Sequence, residues 1–526
     1  MPSFTHRNLL IALILLTSVA MCLWMVLLQT VADAVTFSVI DDAMYYFAIA
    51  RNVAVSGVFT CDGITITNGF HPLWELVLIP LAWLFRDPNM LLHAGFVLSA
   101  ALFLAALLLF FRLASHLRFT DIGIVTAFIV IFANLRSFTL WFSLIESVLL
   151  LFCLMGYLVL SVEVGTRRIT VPRTAFLWGA LIGVIFLARL DSFLLFPCYL
   201  YYMARHFSGT KERGFLRAAT FTSAGAAIVV LPYLAINLRY FGMLMTVSSW
   251  RKSYPINLEN LAGPLQRFYS ETLVRFVYVL NLPDSTRVLI AALLACGIAG
   301  IIFLGRRAGS RLKTPMIPIM DFLAFAGLHF VFVFIFVPTE AIFSIWYHVV
   351  EILALGLVSG VLLGVLLERA PIVRACVIVA AAAFLIWQFA FYPSFMEKKS
   401  MTTVKLEMAG RVAEFVPAGE RVAMYDAGIV GYFADRPVVA LNGLVGDIAM
   451  AKLSKQARYG ELCKQYHVAY LVADVPVSLI DSLPGTPVYV TSIRTRMMNM
   501  NEEPKPLVLY RMSASDVDGF FARRYK

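Results

Sequence analysis

A polytopic α-helical membrane protein with a C-terminal α/β domain is the fold class this sequence predicts, and three observations carry that expectation. The first is apolarity: 60% of the 526 residues are hydrophobic, 14% are charged and the mean hydropathy is +0.82. Soluble domains run nearer a quarter charged. The second is a series of long apolar runs at 9–31, 90–111, 121–135, 147–162, 175–188, 192–204, 218–238, 288–304, 317–337, 347–367 and 372–391. A spanning helix needs about 20 apolar residues, so with several runs extended into their flanks the chain has about eleven transmembrane helices. The third is a change of composition after residue 391, where short β-type runs separated by turn residues begin.

Charge placement orients these spans. With Arg7 cytoplasmic, one set of alternate short loops carries Arg112 and Arg118, Arg167 to Arg173, Arg205 to Arg217, Arg306 to Lys313, and Arg369 with Arg374. The opposite short loops carry only Arg51, Arg86, Arg136 and Arg189. This is the positive-inside pattern, so the net charge of +11 is a topology signal and not a nucleic-acid patch. The assignment requires Pro72–Phe85 to lie at the outer interface instead of spanning, as its length suggests. The first run reads as an uncleaved anchor.

Residues 1–391 thus form a body in the cytoplasmic (inner) membrane with a cytoplasmic N-terminus and two long outer loops, 32–89 and 239–287. Residues 392–526 form an extracytoplasmic α/β domain. Its expected strands are Arg421–Tyr425, Pro437–Leu441, Val468–Val472, Val488–Ile493 and Leu507–Arg511, with a helical pattern over 448–466. Asp426, Tyr432 and Asn442 fall at strand ends, and the domain reads as a support. Five cysteines lie in apolar runs; nothing obliges Cys61 and Cys463 to pair.

The chemistry concentrates at the outer face. Asp41 and Asp42 open a short amphipathic helix in the first outer loop, and adjacent helical residues diverge by about 100°, so the two carboxylates cannot both face one point. One suits a base; the other suits a cation or the loop itself. A divalent cation, Mg or Mn, held by Asp41 or Asp42 is the one cofactor these residues leave open. Glu146, then Arg189 with Asp191, bring further charge to the same face. Arg251 and Lys252 suit a phosphate or anionic headgroups. His71, Tyr347 and His348 are candidate substrate contacts, although Trp346-Tyr347-His348 also suits an interfacial aromatic belt.

No Walker A loop, dinucleotide fingerprint or His-Glu-x-x-His occurs. A reaction at this face calls for a substrate that arrives activated, such as a sugar on a polyprenyl phosphate. Departure of a lipid phosphate needs no acid, so one carboxylate to deprotonate an acceptor hydroxyl suffices.

Taken in order, Asp41-Asp42, His71-Pro72-Leu73-Trp74, Glu146, Ala188-Arg189-Leu190-Asp191 and the stretch from Asn237 through Phe241-Gly242 to Lys252 resemble the GT-C superfamily of integral-membrane glycosyltransferases. The order Asp-Asp, Tyr, Ala-Arg-Asn, Gly, Asn-Gly, Pro-Leu-Trp is similar to relatives of mycobacterial terminal arabinofuranosyltransferases. The resemblance implies inverting transfer of a sugar, such as the pentofuranose arabinofuranose, from a polyprenyl-phosphate donor to a glycan, lipid or protein acceptor. It places the base role on Asp41, with Asp42 second. One departure is Leu144-Ile145-Glu146, where such relatives usually show Gly-Met-Glu. An oligosaccharyl- or polymer-transferring enzyme, a flippase of lipid-linked glycans and a scaffold without catalysis are the rival readings; a transporter should place its polar groups near the membrane midplane.

Overall fold

The computed structural model describes residues 6–168, 171–207, 212–253, 310–336, 345–367, isolated positions between 372 and 386, 401–491 and 505–524. The expected span at 288–304, most of that at 372–391 and the second outer loop beyond residue 253 lie outside them. Among the described residues four helices are long and apolar enough to cross a membrane alone: His6–Leu27, Pro88–His116, Gly214–Phe241 and Ile345–Leu367. Asp121–Ala133 with Leu135–Trp141 makes a fifth, bent by 54°. The bend has a local cause. A π-helical turn, Ile129–Ala133, ends at Asn134, whose extended ψ leaves the helix and whose side chain accepts the Arg136 N–H to start the next one. Shorter apolar helices at Ser147–Glu163, Pro172–Ala188 and Pro318–Val333 cover the expected runs there.

The helices that position the site are α3 (Asp41–Ser56), α4 (Pro72–Leu84), α9 (Pro172–Ala188), α11 (Glu212–Phe241), α12 (Val247–Lys252), α13 (Ser310–Phe336) and α14 (Val349–Leu367). Small residues let α9 and α11 pack backbone to backbone. A Cβ at Gly179 would lie 1.8 Å from the Thr222 carbonyl oxygen, which cannot move without its helix. Gly179→Val is therefore expected to destabilise the body by about 1–3 kcal/mol or to prevent its assembly, read as a lower Tm in detergent.

Residues 32–89, expected as the first outer loop, differ from their expectation in helix α3. α3 runs for 16 residues to Gly57, whose φ of 73° supplies the left-handed stop. It is not amphipathic: every residue from Ala43 to Ala50 is buried. Ala43, Met44, Tyr46, Phe47, Ala48 and Ala50 pack into the core of the membrane body, while Tyr45 packs into a second core formed by the C-terminal residues. Both faces are apolar because both are covered.

Residues 421–511 build a five-stranded mixed sheet in the order β2-β1-β3-β5-β4, from β1 (Arg421–Met424), β2 (Val438–Ala440), β3 (Val468–Asp474), β4 (Thr486–Val490) and β5 (Leu507–Arg511). β1 lies parallel to β2 and β3, and β5 runs antiparallel to β3 and β4. β4 begins before the expected Val488 and tolerates Pro487 because it forms an edge. The helical pattern over 448–466 is two helices, Ile448–Lys455 and Tyr459–Gln465, separated near Ala457 with φ 53°. The loops after β1 and β2, at the carboxyl ends of the parallel strands where α/β sheets commonly present ligand-binding groups, bear on α3.

Candidate active site

A cavity of about 420 Å³ opens where α3, the start of α4, the end of α9, α12 and the C-terminal sheet meet. Its polar lining includes Asp42, Tyr45, Tyr46, His71, Glu146, Arg189, Asp191, Lys252 and Tyr347; Phe70, Phe193, Phe332, Trp346 and Met245 supply an apolar side.

Both aspartates sit in the first turn of α3, where the helix N-terminus favours negative charge. The helical twist then separates them. Asp42 lines the cavity and makes no side-chain hydrogen bond among the described residues. Burial raises its carboxyl to about 6; Lys252 opposes the rise, and Asp426 and Asp41 add to it. Asp41 points the other way. Its Oδ1 accepts from Lys405 Nζ at 2.8 Å and from the Ile429 N–H at 3.1 Å, and its Oδ2 accepts from the Gly428 N–H at 2.9 Å. The two carboxylates therefore differ in surroundings: the oxygens of Asp41, the expected base, are occupied by the C-terminal residues, and Asp42 is the carboxylate that faces the cavity. Among the described residues no three His, Cys, Asp or Glu side chains gather into a cation site.

His71 precedes Pro72 and takes the extended backbone that a following proline favours. Its Nδ1 accepts the Leu190 N–H at 3.3 Å, which leaves the ring proton on Nε2, 3.5 Å from Glu146 Oε1. Burial lowers the pKa of the imidazole, and Glu146 works against that shift. Glu146 follows Leu144, which holds a left-handed backbone with φ 62°. The Trp74 indole N–H fixes the Leu144 carbonyl at 3.1 Å. Leucine thus occupies a conformation that glycine would adopt without strain, and Glu146 still reaches the cavity.

Arg189 leaves α9 in an extended conformation, and the turn Leu190–Leu194 brings Asp191 back beneath it. Arg189 Nε bonds both Asp191 oxygens, at 3.1 and 3.0 Å, and Nη1 bonds Glu146 Oε1 at 2.5 Å. Tyr46 donates its hydroxyl to Glu146 Oε2 at 3.0 Å. Burial disfavours the Asp191 charge, but Arg189 and then His329 outweigh it and hold the carboxyl well below the usual range.

α12 starts at Thr246, whose hydroxyl accepts the Ser249 N–H, and Asn68 locks it to the first loop by accepting the Val247 N–H and donating to Asn237. Arg251 and Lys252 close the helix and diverge as the aspartates do. Lys252 Nζ donates to the Tyr347 hydroxyl at 3.2 Å. Burial opposes its charge, yet Tyr347 and Asp42 offset this and raise its pKa. The Arg189 guanidinium lies 4.9 Å from the centre of the Tyr347 ring, so the phenol sits between two cations. Arg251, expected as a substrate contact, lies off the cavity lining, and its Nε donates to Ser454 Oγ at 3.1 Å. His348 also lies off the lining. It is buried behind the lining, its Nδ1 3.8 Å from Glu351 Oε2.

The sequence reading missed three groups. Lys405 lies in an unremarkable amphipathic helix, Met401–Phe415. His329 and Glu351 lie inside apolar segments. His329 Nδ1 meets Glu351 Oε1 at 2.8 Å, and its Nε2 is 3.4 Å from Asp191 Oδ1. An ionisable residue within a span was the available signal. Leu444 and Val445 also line the cavity, and no sequence pattern points to them.

A family described as a domain of unknown function, DUF8728, matches residues 394–510. No curated protein sequence matches the chain. Among solved structures the chain is similar to the apo crystal structure of ArnT from Cupriavidus metallidurans. The TM-score is 0.52 at 14% identity, over 96% of this chain and 98% of that one. The likeness is one of fold and spans both chains almost end to end. The protein is a multi-pass membrane protein with the ArnT fold.

Proposed function

We propose that this protein is an inverting glycosyltransferase that moves a sugar from a polyprenyl-phosphate donor to an acceptor hydroxyl at the outer face of the cytoplasmic membrane. One observation carries the reading: a single cavity sets an unpartnered carboxylate, Asp42, among the fixed cations Lys252 and Arg189, with an apolar side at Phe193, Phe332 and Trp346. The fold shared with ArnT, over nearly the whole of both chains, supports it.

In this mechanism Asp42 takes the proton of the acceptor hydroxyl. The oxygen attacks the anomeric carbon from the face opposite the phosphate, and the bond from that carbon to the phosphate oxygen breaks. The electron pair stays on the lipid phosphate, where Lys252 and Arg189 offset the developing charge. The apolar side receives the first isoprene units. A pentofuranose such as arabinofuranose is the sugar the sequence resemblance favours; the acceptor is a glycan, lipid or protein.

The test is transfer by the purified protein in nanodiscs offered polyprenyl-phosphate sugars. The expected products are free polyprenyl phosphate and a linkage of inverted configuration. Intact lipid-linked sugar carried across a proteoliposome membrane, with no phosphate released from any donor, would establish a flippase instead. His329 and Glu351 inside apolar helices give that rival its one foothold. Glu351, however, opens α14 and reaches Asp191 through His329, so these groups back the cavity instead of lining a passage.

The orientation is tested separately. Ser56 and Ser482 are both exposed, and cysteines placed there are expected to react with a membrane-impermeant maleimide in intact cells. Labelling of either only after cell lysis would place the cavity on the cytoplasmic side.

A further inference from the structure

We propose that the C-terminal sheet unit, the part matched by the uncharacterised family, positions the catalytic groups by clamping α3 and α12 from outside; the proposal rests on the function stated above.

Two neighbouring pairs divide in the same way. On α3, Asp42 enters the cavity and Asp41 binds the C-terminal unit. On α12, Lys252 enters the cavity and Arg251 binds that unit at Ser454. The residue beside each cavity charge is thus an attachment point, so the unit holds the two elements that carry the carboxylate and the ammonium.

The attachments are numerous. Lys405, buried, bridges Asp41 Oδ1 and the Asp426 carbonyl oxygen, each at 2.8 Å. The Tyr45 hydroxyl, one helical turn further along α3, accepts from the Ala427 N–H and from Asn442 Nδ2, both at 3.1 Å. At α12, Lys455 donates to the carbonyls of Trp250 and Ser253 and lies 4.7 Å from the centre of the Trp250 ring. The fit is close enough to exclude side chains. A Cβ at Gly428 would stand 1.9 Å from the Asp41 carbonyl oxygen, and one at Gly69 would stand 2.0 Å from that of Leu444. The same loop places Leu444 and Val445 in the cavity wall. Asp41, Arg251 and Lys405 are positioning residues in this scheme, and Asp42 keeps its desolvated carboxyl only while the unit is seated.

Gly428→Ala wedges the unit from α3 without altering a cavity residue. Gly431→Ala, in the same short helix, meets nothing nearer than the Val438 Cβ at 3.7 Å and serves as the control. In the full-length protein, Gly428→Ala is expected to lower kcat at least tenfold and to move the acid limb of the pH–rate profile below about 6, because hydration relieves the largest cause of the Asp42 shift. Gly431→Ala should match the wild type in both. A loss of stability alone would reduce the amount of active protein and leave the limb in place, which would overturn the proposal, as would a wild-type kcat in Gly428→Ala. Should Gly428→Ala fail to accumulate, Lys405→Gln takes its place: a lower kcat with the limb moved below that of the wild type supports the clamp, because loss of the Lys405 charge alone would move it up, and a limb unshifted or moved up, or a wild-type kcat, overturns it. Absence of transfer by the wild type would instead sink the proposed function. The clamp would then stand or fall on whether Gly428→Ala, unlike Gly431→Ala, opens residues 401–491 of the full chain to protease.

Discussion

An Asp42→Asn variant is expected to insert and fold normally and to transfer sugar about 10²–10⁴-fold more slowly, the usual contribution of a general base. The amide preserves size and polarity but cannot take a proton. Asp42 also sets the pH dependence. A base works only when ionised, and burial holds this carboxyl at about 6. The wild-type rate should therefore fall about tenfold per pH unit below that value and level off above it, and the limb should vanish in Asp42→Asn. Asp41→Asn separates the two carboxylates. It weakens the bond to Lys405 and slows the reaction, yet an acid limb should remain. If Asp41→Asn abolishes the limb and Asp42→Asn keeps it, the assignment of the base is reversed.

The second large effect is expected at Arg189. Its guanidinium is 2% exposed and ties Glu146 to Asp191. Arg189→Met leaves two buried carboxylates without their shared cation. Breaking such a buried pair costs about 3–5 kcal/mol, far more than forming it contributes, because the orphaned charges stay desolvated. A clear drop in Tm should accompany a loss of donor binding. Arg189→Lys restores one charge but not the fork that meets both acids, so it should recover part of the stability and little of the donor affinity. A Tm equal to wild type in Arg189→Met would show that Glu146 and Asp191 are neutral or hydrated, and the phosphate-facing role of Arg189 would fall with that result.

Much of the site was legible because membranes make charge conspicuous. Asp42, Glu146, Arg189, Asp191 and Lys252 stand out in an apolar chain, and separated segments deliver them to one cavity. The helical period of α3 also requires Asp41 and Asp42 to diverge. It could not say which faced inward, because that depends on what covers the helix. His329 and Glu351 were passed over for a related reason. Each shares its apolar run with one other acidic or basic side chain, Asp321 and His348 respectively, and only the packing of α13 against α14 makes them partners. Lys405 is 364 positions from Asp41, and no local pattern links a lysine in a polar helix to an aspartate near the first span.

The sequence by itself determined that the chain is helical and membrane-embedded, which residue types carry charge into it and, the bounds of β4 apart, which stretches supply the strands of the C-terminal sheet, since these depend on hydrophobic period, turn residues and local charge. The tertiary structure alone decided that Asp42 and not Asp41 enters the cavity, that Lys252 and not Arg251 does so, and that Leu444 and Val445 of the C-terminal unit form part of its wall. Those choices follow from desolvation and close approach between distant segments. Only the assembled fold brings Lys405, Gly428 and Ile429 to Asp41 and leaves Asp42 facing the cavity.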